Sequence, residues 1–262
     1  MLGMLEGGAT HLGVATDHVI ESWRNGAWAA YKSSEGVPEE LLGQFGLFEE
    51  ALAELGLTVW AMTDLEADDA LASAAAVLAE LGEVSQVVIC TPDKDLGQCV
   101  RGTHVVCLDR RKDTFVDEEA VRARFGVGPE AVPDWLALVG DSSDGYPGLA
   151  GWGPKATTAV LAVYGSLEAV PLDGPAWRVA LPPGRLASLR AALVRGHEQA
   201  LLFKHLATCV VDRDILPAGE AALTQLRWRG PNDGFGKMCD RLESPGLARR
   251  AADLAASRQK GQ

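Results

Sequence analysis

The chain has 262 residues, 47% of them hydrophobic and 23% charged, a globular composition that excludes a disordered chain. That length accommodates one large domain or two small ones. The net charge of −12, from 24 Lys plus Arg against 36 Asp plus Glu, argues at first against nucleic acid, because sequence-independent DNA binders are basic.

Taken in chain order, the first two thirds alternate strand-like and helix-like segments. Met1–Gly7 reads as the end of a helix with no strand before it, so a strand upstream is expected to be missing; the plainer alternative is a frayed turn. His11–Thr16 (HLGVAT) is a short apolar run of strand type. Pro38–Leu55 has helical spacing, with Leu41, Leu42, Phe45, Phe48, Leu52 and Leu55 on one face. Leu57–Met62 (LTVWAM) predicts a second strand, Glu66–Leu81 an Ala-rich helix, and Gln86–Thr91 (QVVICT) the clearest strand. Lys94–Val100 reads as a short helix and His104–Leu108 as a further strand. Strands separated by helices imply an α/β fold with a parallel sheet.

From about Asp113 the pattern becomes mainly helical, over Asp117–Phe125, Pro133–Gly140, Pro154–Tyr164, Leu186–Val194, Glu198–His205 and Leu247–Arg258. A Gly-rich turn region, Gly145–Gly153, interrupts it. The expected plan is an α/β domain over 1–112 and a helical region over 113–262.

The cysteines Cys90, Cys99, Cys107, Cys209 and Cys239 are odd in number and form no C-x-x-C pair, so they read as reduced thiols rather than disulfide or zinc ligands. No apolar stretch reaches membrane length and no secretory leader opens the chain. A cytoplasmic protein without a membrane partner is the expectation.

The acids are placed systematically. Asp17 follows HLGVAT. Glu66, Asp68 and Asp69 (EADD) follow LTVWAM. Asp93 and Asp95 (PDKD) follow QVVICT, and Asp141 and Asp144 (GDSSD) end an apolar helix. In a parallel sheet the carboxyl ends of the strands share one edge, where ligands bind, so these acids should converge. Two like charges about 5 Å apart at an effective dielectric near 20 repel by roughly 3 kcal/mol. Eight such groups require compensation, and hard divalent cations with oxygen ligands, Mg²⁺ or Mn²⁺, supply it. With those eight carboxylates set aside the rest of the chain is only mildly acidic, and the objection to nucleic acid weakens. Taken singly each cluster has a structural explanation: Thr63-x-x-Glu66 is a capping-box pattern, and Asp93 would cap the helix from Lys94.

Two segments add positive charge and rings. Trp23, Arg24, Trp28, Tyr31 and Lys32 interleave bases with aromatics, as phosphate contact plus base stacking requires, although a surface loop with buried rings gives the same pattern. In Gly148-Leu-Ala-Gly151-Trp-Gly153-Pro154-Lys155 the glycines allow close backbone approach, and the helix opening at Pro154 presents unpaired N–H groups to a phosphate. Asp173, His197 and His205 read as surface or packing residues.

Together the stretches EADD, TPDKDLGQCV, FGVGPEAVPDWLALVGDSSD and PGLAGWGPK, with Ala15-Thr-Asp17 and Tyr31-Lys32, resemble the 5′–3′ exonuclease and flap endonuclease family, including the 5′-nuclease domain of bacterial DNA polymerase I. The likeness covers about residues 10–170. It implies a PIN-like parallel-sheet core with a helical, helix–hairpin–helix-like DNA-binding region, and a metal-dependent nuclease acting in DNA replication and repair on DNA with a free 5′ end or 5′ flap, as a monomer. By resemblance Asp17, Glu66, Asp68, Asp69, Asp93, Asp95, Asp141 and Asp144 hold two or more Mg²⁺ or Mn²⁺ ions. Lys32, with Arg24, offsets charge on the reacting phosphate. Tyr31, Lys32, Gly148, Gly151, Gly153 and Lys155 contact DNA, with K⁺ at the Gly-rich turn.

Three departures stand out. The family's opening strand with its metal-binding Asp has no counterpart here. The family's Tyr-Lys-x-x-Arg ends in Glu35, and the Asn usually following the last metal Asp is Gly145. The first departure keeps open a structure-specific DNA-binding protein weakened in catalysis. A PIN-type ribonuclease is disfavoured by the Gly-rich turn, and a phosphotransferase by the lack of a D-x-D-x-[TV] element.

Overall fold

The computed structural model describes residues 1–173 and 177–260. The chain folds into two compact units, each assembled from separated pieces: Met1–Ile20, Ser34–Ala70 and Asp212–Gln262 form the first, Glu21–Ser33 and Leu71–Val211 the second.

In the first unit, β1 (Gly13–Asp17) and β2 (Thr58–Met62) pair in parallel, from Gly13 opposite Thr58 to Asp17 opposite Met62. Val14, Thr16, Thr58 and Val59 are β-branched and suit the pleated surface. Gly13 is required because Trp60 crosses it: a Cβ there would lie 2.4 Å from the indole. The core gathers Leu2 and Leu5 of the helix Leu2–Glu6, Val14, Leu52, Leu55 and Leu57 with Trp228, Phe235, Cys239 and Ala251. Trp228 Nε1 donates to the Leu55 carbonyl at 2.7 Å, which satisfies the one polar atom of a buried ring.

The single helix expected over Pro38–Leu55 is two helices, Glu39–Leu42 and Phe45–Glu54, separated at Gly43 and Gln44. The break divides the expected apolar face. Leu52 and Leu55 reach the core, whereas Leu41 and Phe48 remain 48% and 49% exposed.

In the second unit, β3 (Val87–Ile89) and β4 (Val105–Asp109) are parallel, and β5 (Thr114–Val116) adds to β4 antiparallel. The sequence pattern predicts one parallel sheet. The strands instead form two, β1–β2 and β3–β4–β5, and in the second β5 is antiparallel because it is reached by a tight turn with Asp113 at φ 50° rather than by a crossover helix. The core takes residues from both sides of position 112: Ile89, Leu96, Val105, Val121, Leu136, Leu138, Val160, Leu189, Leu193 and Phe203 belong to it. The helix Glu118–Phe125 is capped by Asp117, whose carboxylate accepts from Ala120 N at 2.9 Å, and stops at Gly126 with φ 72°.

The two helices expected at Leu186–Val194 and Glu198–His205 are present within Pro183–Ala207, where they meet at a kink whose dihedrals at Gly196 (φ −111°, ψ 20°) are not helical. A Cβ at Gly196 would come 2.8 Å from Leu149 Cδ2, so the kink sits where the backbone passes closest to the turn region. Among the described residues no helix is long and apolar enough to cross a membrane.

One backbone approach in the first unit is directly testable. Gly56 has φ 83°, and a Cβ there would lie 2.1 Å from the Gly230 carbonyl oxygen. Gly56→Ala is expected to destabilise the protein by about 2–4 kcal/mol, from left-handed strain plus overpacking. Gly46→Ala, in open space within a helix, is expected to be neutral or slightly stabilising. Urea unfolding of both variants makes the comparison, and equal midpoints would contradict it.

Candidate metal centre

Two turns of the second unit bring three carboxylates together. Asp95 opens the 3₁₀ turn Asp95–Cys99 that follows β3. Its backbone N–H donates to Asp93 Oδ1 at 2.9 Å, and the N–H of Asp93 donates to Thr91 Oγ1 at 3.0 Å, so the PDKD turn is braced from within. Asp141 and Asp144 lie in the turn that follows the helix Val132–Val139. That turn is closed by paired backbone bonds between Asp141 and Tyr146, 2.8 and 3.0 Å, and by Ser143 N donating to Asp141 Oδ1 at 2.8 Å. Glycine is needed at both of its edges. Gly140 and Gly148 have φ 92° and 67°, and a Cβ on Gly148 would stand 2.4 Å from Gly140 N.

Asp95, Asp141 and Asp144 each present an oxygen within 4.8 Å of the others, the one such acidic group among the described residues. Asp95 and Asp141 are buried. Lys94 balances them: its Nζ donates to Asp141 Oδ2 and lies 3.0 Å from Asp95 Oδ1. Lys32 Nζ stands 3.6 Å from Asp144 Oδ1, placed there by its own N–H donating to the Asp144 carbonyl at 3.1 Å.

These neighbours divide the carboxylates. Burial, then the charge of Asp93, pushes Asp95 up to about 7, with Lys94 opposing. Burial also presses Asp141 upward, but the hydrogen bond and charge of Lys94 and the N–H groups of Ser143 and Asp144 hold it below the ordinary range. Lys94 is held above its ordinary value because Asp141 and Asp95 outweigh its burial.

Two buried polar atoms of this centre remain unsatisfied among the described residues. The buried Tyr146 hydroxyl has no hydrogen-bond partner, and burial and then the charges of Asp95, Asp144 and Asp141 keep it protonated. Asp95 Oδ1 faces Lys94 across 3.0 Å without an aligned hydrogen bond. An all-oxygen donor set with unsatisfied buried oxygens beside it fits a hard, partly hydrated divalent cation.

The first unit carries the other acids. Asp17 Oδ1 at the end of β1 accepts from Ala67 N at 2.7 Å, and Asp69 Oδ2 accepts from Glu66 N at 3.0 Å. The helix that starts at Ala67 is therefore capped by these two aspartates. Thr63, the residue of the capping-box pattern, turns instead to Asp64. Glu66 and Asp69 are buried and Asp68 is half-buried.

Two expectations are corrected. Arg24 is 3% exposed, and its guanidinium is committed to the carbonyls of Leu206 (2.8 Å) and Thr208 (3.2 Å), so it ties the chain together inside the unit rather than facing a phosphate. Tyr31 is 4% exposed and belongs to the core, so its ring cannot stack on a base. The interleaved aromatics are packing groups: Trp23 meets His205 at 4.6 Å and Trp28 meets Phe203 at 5.1 Å. Gly151 and Lys155 are exposed, Gly153 caps the helix Pro154–Tyr164, and the Gly151 carbonyl accepts the Arg185 guanidinium. Sequence reasoning missed Lys94 and Tyr146, although both lie inside the acidic motifs themselves.

A family model described as 5′-3′ exonuclease, N-terminal resolvase-like domain, matches residues 2–126, and one described as 5′-3′ exonuclease, C-terminal SAM fold, matches residues 127–233. The chain is 38% identical to a DNA polymerase I of Rhizobium leguminosarum over 160 residues, 61% of this chain and 16% of that one. It is 36% identical to a 5′-3′ exonuclease of Aquifex aeolicus over 159 residues, 60% of this chain and 54% of that one. The chain thus spans about half the length of that exonuclease and 16–21% of the polymerases. In fold it is similar to a mutant of the T5 5′-exonuclease, with TM-score 0.63, 14% identity and coverage of 97% of this chain and 89% of the other. The catalytic core of Rad2 in complex with DNA substrate gives TM-score 0.58 at 17% identity, covering 97% and 79%.

Two outcomes are expected at this centre. Asp95 holds its proton more tightly when folded, at about 7, than at its ordinary 3.8. The stability this provides is complete below the unfolded value and is lost as pH rises through about 7. In chelator, wild type should therefore lose stability relative to Asp95→Asn between about pH 4 and 7 in urea titrations; the opposite slope would contradict the assignment. Separately, Gly145 has φ 82°, and a Cβ there would lie 2.0 Å from the Ala30 carbonyl oxygen. Gly145→Ala should cost about 2–4 kcal/mol and displace the segment that carries Lys32, measured by thermal unfolding and by amide exchange at Lys32.

Proposed function

The chain belongs to the 5′–3′ exonuclease family, and on that footing we propose that it hydrolyses DNA phosphodiesters near a free 5′ end or at a 5′ flap, with Mg²⁺ or Mn²⁺. The observation that carries this reading is the Asp95, Asp141 and Asp144 group with Lys32 at its edge. Solved relatives of the fold include the T5 5′-exonuclease with divalent zinc bound and Rad2 with DNA substrate, and those descriptions agree with the proposal.

Asp95, Asp141 and Asp144 would hold one ion, with Asp93 at the rim. Asp17, Glu66, Asp68 and Asp69 would hold a second, some of them through water. Ions bound there lower the pKa of water and stabilise a leaving oxygen. The chain's own residues do the rest. Lys32, less than a third exposed and tethered through its backbone to Asp144, offsets negative charge on the phosphate. Asp95, whose carboxyl is pushed up to about 7, would have to give up its proton to serve as a cation ligand. Lys94 holds Asp141 ionised and oriented before that.

The exposed Gly151 and Lys155, with Gly153 and the N–H groups that open the helix Pro154–Tyr164, would approach the duplex backbone, whereas Gly148, expected to join them, is buried against Gly140 and serves to close the turn. K⁺ is proposed at carbonyls of this turn other than that of Gly151, which Arg185 occupies. In this reading residues 1–112 supply the nuclease core and 113–262 the DNA-binding region. The protein acts as a cytoplasmic monomer whose five cysteines form no disulfide among the described residues.

A labelled 5′-flap substrate tests the proposal. Cleavage should require Mg²⁺ or Mn²⁺ and stop in chelator. Asp141→Asn should lower the rate by about 10²-fold or more, and Lys32→Ala by about 10-fold with binding nearly unchanged. Equal cleavage with metal and with chelator would overturn the mechanism. Metal-dependent flap binding without cleavage would identify a binding protein instead.

A further inference from the structure

The first unit contains a second polar site of opposite charge. Residues 226–228 pair antiparallel with 10–12, ahead of β1: Leu12 N donates to the Leu226 carbonyl at 2.9 Å and Trp228 N to the Thr10 carbonyl at 3.0 Å. Side chains alternate along an extended segment, so Trp228 points into the core while Arg227 and Arg229 point out together. Arg258, on the helix Pro245–Lys260, completes the group. With Gly8, Thr10 and Ala255 the three arginines line a cavity of about 460 Å³. That is room for a nucleotide-sized ligand.

Arg258 is already oriented. Its guanidinium lies 5.2 Å over the Trp228 ring, and its Nη2 donates to the carbonyls of Leu5 and, at 2.7 Å, Ala9. Among the described residues no acidic side chain lines the cavity and none of the three arginines has a carboxylate partner. Three other arginines do have carboxylate partners, Arg122 with Glu118, Arg241 with Glu50 and Arg250 with Glu6. In a chain of net charge −12, the lining of this one hollow holds three guanidinia and, among the described residues, no carboxylate. Their mutual repulsion is relieved by an anion bound between them. Burial, and then the charge of Arg227, holds the adjacent His11 below the ordinary imidazole range, as a positive field would.

We propose that this cavity binds a nucleotide phosphate, gripped by Arg227, Arg229 and Arg258. Guanidinium forks match phosphate oxygens in pairs, and a guanidinium already fixed by carbonyls loses little freedom on binding. The site lies at the amino end of β1. About seven residues of extended chain, on the order of 23 Å, separate Thr10 from Asp17. It is therefore distinct from the acids at the other end of the strand, and it does not depend on the nuclease reading.

The test uses the full chain in chelator, so that no phosphodiester is cut. Calorimetry with inorganic pyrophosphate, a 5′-deoxymononucleotide and a short single-stranded oligonucleotide compares wild type with R227A/R229A. Both residues are exposed and no side-chain bond of theirs is lost, so the melting temperature should not move. The double variant should lose affinity for the mononucleotide by about tenfold or more, and R227K/R229K should recover part of it. Binding of pyrophosphate as tight as that of the mononucleotide would identify a free phosphoanion as the ligand. A loss seen with the oligonucleotide alone would identify a strand phosphate. Unchanged affinity for all three probes in the double variant, or no binding of any probe by wild type, would overturn the proposal.

Discussion

Three carboxylates held within 4.8 Å of one another are the constraint around which the second unit is arranged. At an effective dielectric near 20, each such pair repels by about 3 kcal/mol, and burial makes the ionised forms costlier still. A chain cannot hold that arrangement by packing alone, since the sum rivals a domain's net stability of about 5–15 kcal/mol. The structure answers with three devices. Lys94 lies between Asp95 and Asp141, Lys32 is docked beside Asp144, and Asp95 retains a proton close to neutrality. Glycines at 140, 145 and 148 let the backbone close tightly enough for those contacts to form.

This explains one departure from the family pattern that sequence comparison leaves bare. Where the resemblance leads one to expect an Asn after Asp144, Gly145 lies against the Ala30 carbonyl, with no room for a Cβ. The same junction includes Trp28 Nε1 donating to the Gly145 carbonyl at 3.0 Å, and Lys32 N on Asp144. The small residue thus lets the basic segment sit directly on the acidic turn.

The acids themselves were legible because each follows a strand or an apolar helix, and the elements carrying them were legible from period and composition: β1, β2, β4 and the helices Pro154–Tyr164 and Pro245–Lys260 lie within a few residues of their expected places. What was illegible depends on partners distant in sequence. Arg24 and Tyr31 sit in a basic and aromatic run that reads as a nucleic-acid surface, yet the run is buried against Leu206 and Phe203, more than 170 residues later. β5 is three residues long, too short for any periodicity to register. Leu41 follows the apolar stripe expected over Pro38–Leu55, but the break at Gly43 and Gln44 puts it on a separate short helix that stays outside the core. The arginine cavity has no motif at all, since Arg258 joins Arg227 and Arg229 only in the folded first unit.

The central claim is that Asp95, Asp141 and Asp144 form a cation site whose charge is otherwise balanced by Lys94 and by a proton on Asp95. Calorimetric titration of the chelated protein with Mn²⁺ at a pH just below 7, repeated in buffers of different ionisation enthalpy, counts the protons released on binding. The account predicts release of a substantial fraction of one proton with the first ion, abolished in Asp95→Asn. Binding that releases no proton in the wild type, or the same number in the variant, would contradict it.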